Sequence, residues 1–114
     1  MSGLPNRRSN ATREARIGGC KVFVTVGFTD DGAIGEVFVD VAPSAADDTT
    51  RSWAGCWSRA VSLALQAGLP VSKIVDHFRH TDFPPQGLVQ PPEPMHFARS
   101  IVDWVVAVME QESA

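Results

Sequence analysis

Hydrophobic positions along this chain change their period once, and that change divides it into two halves. In the first half apolar and polar residues alternate. Lys21 to Phe28, KVFVTVGF, puts Val22, Val24, Val26 and Phe28 on one face and Phe23, Thr25 and Gly27 on the other. Ile34 to Val41 repeats the pattern, with Val37, Val39 and Val41 opposite Glu36, Phe38 and Asp40. A shorter strand is predicted over Thr12 to Ile17. Gly18-Gly19 joins it to the second strand, since a two-residue hairpin turn needs positive φ at both positions. Asp30-Asp31-Gly32 supplies the next turn.

In the second half the period becomes helical. Trp53 to Gly68, WAGCWSRAVSLALQAG, places Trp53, Trp57, Ala60, Val61, Ala64 and Leu65 at steps of three and four. Ser44, Asp47 or Asp48 is positioned to cap its start, and Gly68 before Leu69-Pro70 ends it. A shorter helix follows over about Val71 to Arg79, with Val71, Ile74, Val75 and Phe78 turned inward. His80 to Pro94 then holds five prolines and a glycine in fifteen residues, a density that predicts an extended or mobile loop without regular structure. A third helix is expected from about Met95 to Glu112, with an apolar arc of Phe97, Ile101, Val102, Trp104, Val105, Val108 and Met109.

This succession predicts an α+β fold: a two- or three-stranded antiparallel sheet packed by three helices, in β-β-β-α-α-α order. Two or three strands need a helical layer in water. The tryptophan-headed helix is expected to cover the valine face and to organise the chain. The face bearing Phe23 and Phe38 should meet either the third helix or another subunit. The arc on the third helix is wider than one small core requires, which argues for burial on two sides and a homo-oligomer. Residues 1–11 read as a basic extended arm and residues 12–114 as a single domain.

Composition sharpens this picture only in part. A chain of 114 residues with 44% apolar residues has room for one modest core. Charge is uneven: residues 1–16 carry Arg7, Arg8, Arg13 and Arg16 against Glu14, while the remainder has six basic and twelve acidic side chains. The acidic body disfavours nucleic acid as a partner. With no signal peptide, no bilayer-length apolar run and only Cys20 and Cys56, a reduced cytoplasmic protein is expected, without a membrane partner.

Catalytic signals are weak. His77 and His80 share a helix end, with Asp76, Asp82, His96 and the cysteines as further candidate ligands, but the paired spacing of a zinc site is missing, and neither metal nor cofactor is expected. Cys56 is expected to pack as a small apolar side chain and Cys20 to be the more exposed thiol. Ser62 and Ser100 lack a nucleophile-elbow context. The glycines fit turns better than a phosphate loop. Arginines carry the remaining chemistry. Arg59 on the long helix and Arg99 near the start of the third hold the planar donors that recognise phosphate. Phe83 or Trp53 would supply a stacking surface. The candidate ligand-binding set is therefore Arg7, Arg8, Arg59, Phe83, Arg99 and Asp103. The competing reading pairs the two helical arginines with Asp103, Asp76 or the hairpin acids.

Three blocks in order, Lys21–Val41, Ser58–Phe78 and Phe83–Gln90 with Ala98–Val105, resemble the TSCPD domain. That domain occurs near the C-terminus of adenosylcobalamin-dependent (class II) ribonucleotide reductases and in small stand-alone proteins, whose opening Leu4–Arg8 is similar to. Relatives carry Cys-Pro where this chain has Phe83-Pro84, and Ser-Cys-Pro-Asp where it has Ala98-Arg99-Ser100-Ile101; of the cysteines only Cys20 matches. The resemblance implies a stand-alone accessory or ligand-binding module of nucleotide metabolism, with a reductase subunit as a possible partner and no catalysis of its own. The alternative is a small oligomeric protein that sequesters a nucleotide or cyclic-nucleotide signal, as an anti-defence sponge of a mobile element would.

Overall fold

Five strands, not two or three, form one antiparallel sheet, and the elements run β-β-β-α-α-β-β-α. The structure, a computed structural model, describes residues 9–42 and 48–113. Strands β1 (Asn10–Ile17), β2 (Cys20–Phe28) and β3 (Ile34–Val41) precede helices α1 (Asp48–Gln66) and α2 (Val71–Phe78). Strands β4 (Gly87–Gln90) and β5 (Phe97–Ala98) precede helix α3 (Ile101–Glu112). The spatial order is β3-β2-β1-β4-β5. Ser44 and Asp47, two of the expected caps of α1, lie outside the described residues; α1 begins at Asp48, the third.

The alternating segments fold as their pattern predicts. Gly18 and Gly19 take φ of 57° and 86° and close the β1–β2 hairpin, with Ile17 opposite Cys20. Val24 pairs with Val39 and Val26 with Val37, so the valines of β2 and β3 lie on one face and are fully buried or nearly so.

The proline-rich segment corrects the expectation of an irregular loop. Its prolines leave a five-residue window, Gln86 to Gln90, with every amide free to donate, and that is enough for a short strand. Arg16 pairs with Gln90 and Ile17 with Val89, and Gly18 N–H donates to Leu88 O at 3.0 Å. Leu88 then pairs with Phe97 in β5. This pairing also explains why α3 starts at Ile101 rather than near Met95: residues 97 and 98 are held extended by β4. Ser100 caps the helix by accepting from Asp103 N–H at 2.9 Å.

The organising helix is α3 rather than α1. Eight of its twelve residues are buried, among them Trp104, Val105, Val108 and Met109. It packs on the sheet and against α2. The broad apolar arc is thus consumed inside one chain, and it no longer argues for a second subunit. Helix α1 instead runs along the free edge of β3. Ser62 Oγ accepts from Val37 N–H and donates to Val37 O, both at 2.9 Å, and Arg51 Nε donates to Val41 O at 3.1 Å. Trp53 and Trp57 are half-buried at its flank, edge-on to Phe83 and Phe78 at 5.0 and 5.4 Å.

With α3 on the valine face, the opposite face of the sheet stays open among the described residues. Register places Glu14, Arg16, Lys21, Phe23, Phe38, Leu88 and Phe97 there; Phe38, Leu88 and Phe97 are each at least half exposed. No helix among the described residues is long and apolar enough to cross a membrane.

Candidate functional site

Three of the candidate residues meet where the proline segment returns to α3. The carboxylate of Asp103, 2% exposed, accepts from His80 N–H through Oδ1 at 2.9 Å and from Arg99 N–H through Oδ2 at 3.0 Å. Its own amide donates to Ser100. A carboxylate in the first turn of a helix also faces the positive end of the helix dipole. Phe83 joins the same junction, its N–H donating to Arg99 O at 3.1 Å while its ring meets Trp53. Gln86 Nε2 donates to Arg99 O at 2.9 Å. Asp103 thus spends its acceptors on backbone amides, and the exposed Arg99 side chain extends from a firmly held backbone.

The chain reverses beside this junction. Thr81 N–H bonds back to Phe78 O at 3.1 Å, and His80, at φ 66°, takes the left-handed position that glycine usually fills. A cleft of about 170 Å³ opens here between α2 and α3, lined by Val75, Arg79, His80, Met95, Val106 and Glu110. Arg79 crosses its rim to Glu110 at 2.9 Å, with Asp76 at 3.8 Å.

Arg59 stands elsewhere. It is exposed on α1 and lines a shallow cleft of about 320 Å³ with Glu36, Phe38, Ser62, Leu63 and Gln66. Among the described contacts none joins it to Arg99 or Phe83. Arg7 and Arg8 lie outside the described residues. What the sequence reading missed around Arg59 is the apolar pair Phe38 and Leu63, 51% and 68% exposed. A signal for it existed, because Leu63 falls off the apolar arc of α1 and Phe38 off the valine face.

The thiols reverse their expected roles. Cys20 opposes Ile17 on the core side and is buried, and burial pushes its thiol pKa up. Cys56 is exposed, because the buried arc of α1 runs through Ala54, Ser58 and Val61. Among the described residues no group of three His, Cys, Asp or Glu side chains gathers to hold a metal ion. His77 sits edge-on to Phe78, 4.8 Å between ring centres. A third cleft, about 200 Å³ and almost wholly apolar, lies between α1 and α2 along Trp57, Val61, Ala64, Leu69, Ile74 and Phe78. Trp57 Nε1 is buried beside it without a hydrogen-bond partner among the described residues.

Comparison with known proteins gives this geometry a family. The profile of the TSCPD domain matches residues 2–113. The chain is 41% identical over 102 residues to the vitamin B12-dependent ribonucleotide reductase of Bradyrhizobium diazoefficiens and 40% identical to that of Agrobacterium fabrum. Identity to the enzyme of the same name from Rhodopirellula baltica is 32%. Each alignment covers 90% of this chain but only 8%, 8% and 10% of the relative, so the chain spans about a tenth of the length of these enzymes. No solved structure matches it. A profile match over nearly every residue, together with relatives 41% and 40% identical, means that the chain belongs to the TSCPD domain family.

Proposed function

We propose that this domain is an accessory, partner-binding module of nucleotide metabolism, acting in the cytoplasm beside a vitamin B12-dependent ribonucleotide reductase and without catalysis of its own. The observation that supports the reading is the pattern of similarity: 41% identity over 90% of this chain against 8% of the reductase. Such a segment is a small part of the relative, related to its C-terminal region. The apolar cleft between α1 and α2, with exposed Leu69 at its rim, offers a docking groove that needs no charge complementarity.

The test is co-purification of the domain with the body of a B12-dependent reductase from which the matching segment has been deleted. A stoichiometric complex that restores ribonucleotide reduction is expected. Absence of a complex at protein concentrations of about 0.1 mM, where even weak contacts are populated, refutes the accessory role. Turnover of ribonucleotides by the isolated domain refutes the non-catalytic half.

One observation favours a second reading, binding of a nucleotide or another anionic small molecule. Arg59 stands at a cleft whose wall is the exposed ring of Phe38, which pairs a phosphate donor with a stacking surface. Calorimetry against a nucleotide panel tests it. Binding lost in Arg59→Ala and kept in Arg99→Ala supports this cleft; no heat with any nucleotide ends the reading.

A further inference from the structure

The open face of the sheet carries a charge pattern complementary to itself. Successive cross-strand rows on that face are Thr12–Thr25–Phe38, then Glu14–Phe23–Asp40, then Arg16–Lys21 with Gln90 beside Arg16. An acidic row therefore lies directly beside a basic one. Among the described residues Lys21 and Glu14 make use of this, at 3.5 Å with side chains 35% and 59% exposed, and Lys21 Nζ also stands 5.4 Å above the Phe23 ring. Arg16 is exposed.

We propose that this face is the interface between two copies of the chain. The geometry specifies how they meet. A two-fold axis running across the strands, between the Glu14 row and the Arg16 row, reverses the order of rows but keeps each strand over its own counterpart. Glu14 then faces Arg16 of the second copy, and Arg16 faces its Glu14. Phe23 faces Lys21 of the second copy, repeating between chains the cation–π contact already present within one. Aligned sheet packing accommodates this arrangement.

Other occupants fit the face less well. In these rows Glu14 and Asp40 offset Arg16 and Lys21, so the face offers a polyanion no net positive charge there. Among the described residues no helix covers it, since α3 lies on the opposite side and α1 runs along the β3 edge. A second copy alone presents both signs in the matching rows. The inference does not depend on reductase binding, and neither outcome decides the other.

The oligomeric state of the whole chain, measured by sedimentation up to about 0.1 mM, tests the interface. A reversible dimer, weakened by added salt, is expected. Because each residue occurs twice across the axis, Glu14→Arg and Arg16→Glu should each weaken dimerisation by at least about tenfold. The double variant Glu14→Arg/Arg16→Glu restores the pairing with signs exchanged and should recover most of the affinity. Both side chains are exposed, so the variants are expected to fold, and their thermal unfolding controls for this. A monomer throughout, a dimer indifferent to the single reversals, or single reversals that the double variant fails to rescue would each overturn the proposal.

Discussion

Alanine at Gly18 and alanine at Gly19 should cost very different amounts, although both positions sit in the same hairpin turn with positive φ. At Gly19, φ 86°, an added Cβ meets nothing within 4 Å. Only the left-handed backbone penalty remains, about 1–2 kcal/mol, partly offset by the lower unfolded-state entropy of alanine, so a net loss of about 1 kcal/mol is expected. At Gly18, φ 57°, the same atom would enter the van der Waals shell of Gln86 O and stand 3.0 Å from its carbonyl carbon. Both are backbone atoms and cannot rotate away. The proline segment must then retreat, and the bond from Gly18 N–H to Leu88 O and the seating of Val89, 2% exposed, go with it. One hydrogen bond at about 1 kcal/mol, together with part of a buried valine, adds about 2 kcal/mol to the turn penalty. We therefore expect about 3 kcal/mol for Gly18→Ala against about 1 for Gly19→Ala. Urea unfolding followed by fluorescence of the three tryptophans measures both. Gly87→Ala should behave like Gly18→Ala, since its Cβ would lie 2.8 Å from Gly18 Cα. The double variant should lose less than the sum, because one displacement relieves both clashes. Equal losses at Gly18 and Gly19, within about 0.5 kcal/mol, would refute the close approach.

Three further outcomes follow from the geometry. Asp103→Ala strands two backbone amides that now donate to a carboxylate, and should cost about 3–5 kcal/mol in chemical denaturation; a loss under about 1 kcal/mol would show that the junction is not held by this side chain. Asp31 accepts from Thr29 Oγ and from Ala33 N–H, contacts that hold its pKa below the usual carboxylate range. A depressed native pKa adds stability that is present above the ordinary value of about 3.9 and is lost as pH falls through the lower native one, so Thr29→Val should return the Asp31 midpoint upward in an NMR titration; an unmoved midpoint would contradict this. Under native conditions a thiol reagent should modify Cys56 quickly and Cys20 only on unfolding; equal rates in the folded state would contradict the burial of Cys20.

The alternating strands and the first two helices were legible because their periods are local properties of the residues. What escaped was set by pairing at a distance. Gln86 to Gln90 has no strand pattern long enough to stand out, and becomes a strand because Ile17 and Gly18 offer free backbone groups to it. Phe97 looks helical by spacing, yet its partner Leu88 holds it extended and turns it to the open face. The same blindness misplaced the covering helix. Breadth of the apolar arc marked α3 as doubly buried, but nothing in the sequence said that α2 and the sheet, rather than another subunit, lay on its two sides. Among the candidate site residues, Phe83, Arg99 and Asp103 lie together, through backbone contacts that residue type does not announce. Arg59 was separated from them by the path of α1 along β3.

The hydroxyl of Ser62, closing both hydrogen-bonding groups of Val37, has a consequence for how these molecules can aggregate. A sheet lengthens by adding strands at its margins, and this one offers little purchase at either: one border is occupied by a serine and an arginine from α1, the other ends in two residues of β5. Fibrillar growth through strand addition is therefore hindered at both borders. If two copies pair through the broad flank of the sheet as proposed, that contact closes on itself after a single pairing instead of propagating.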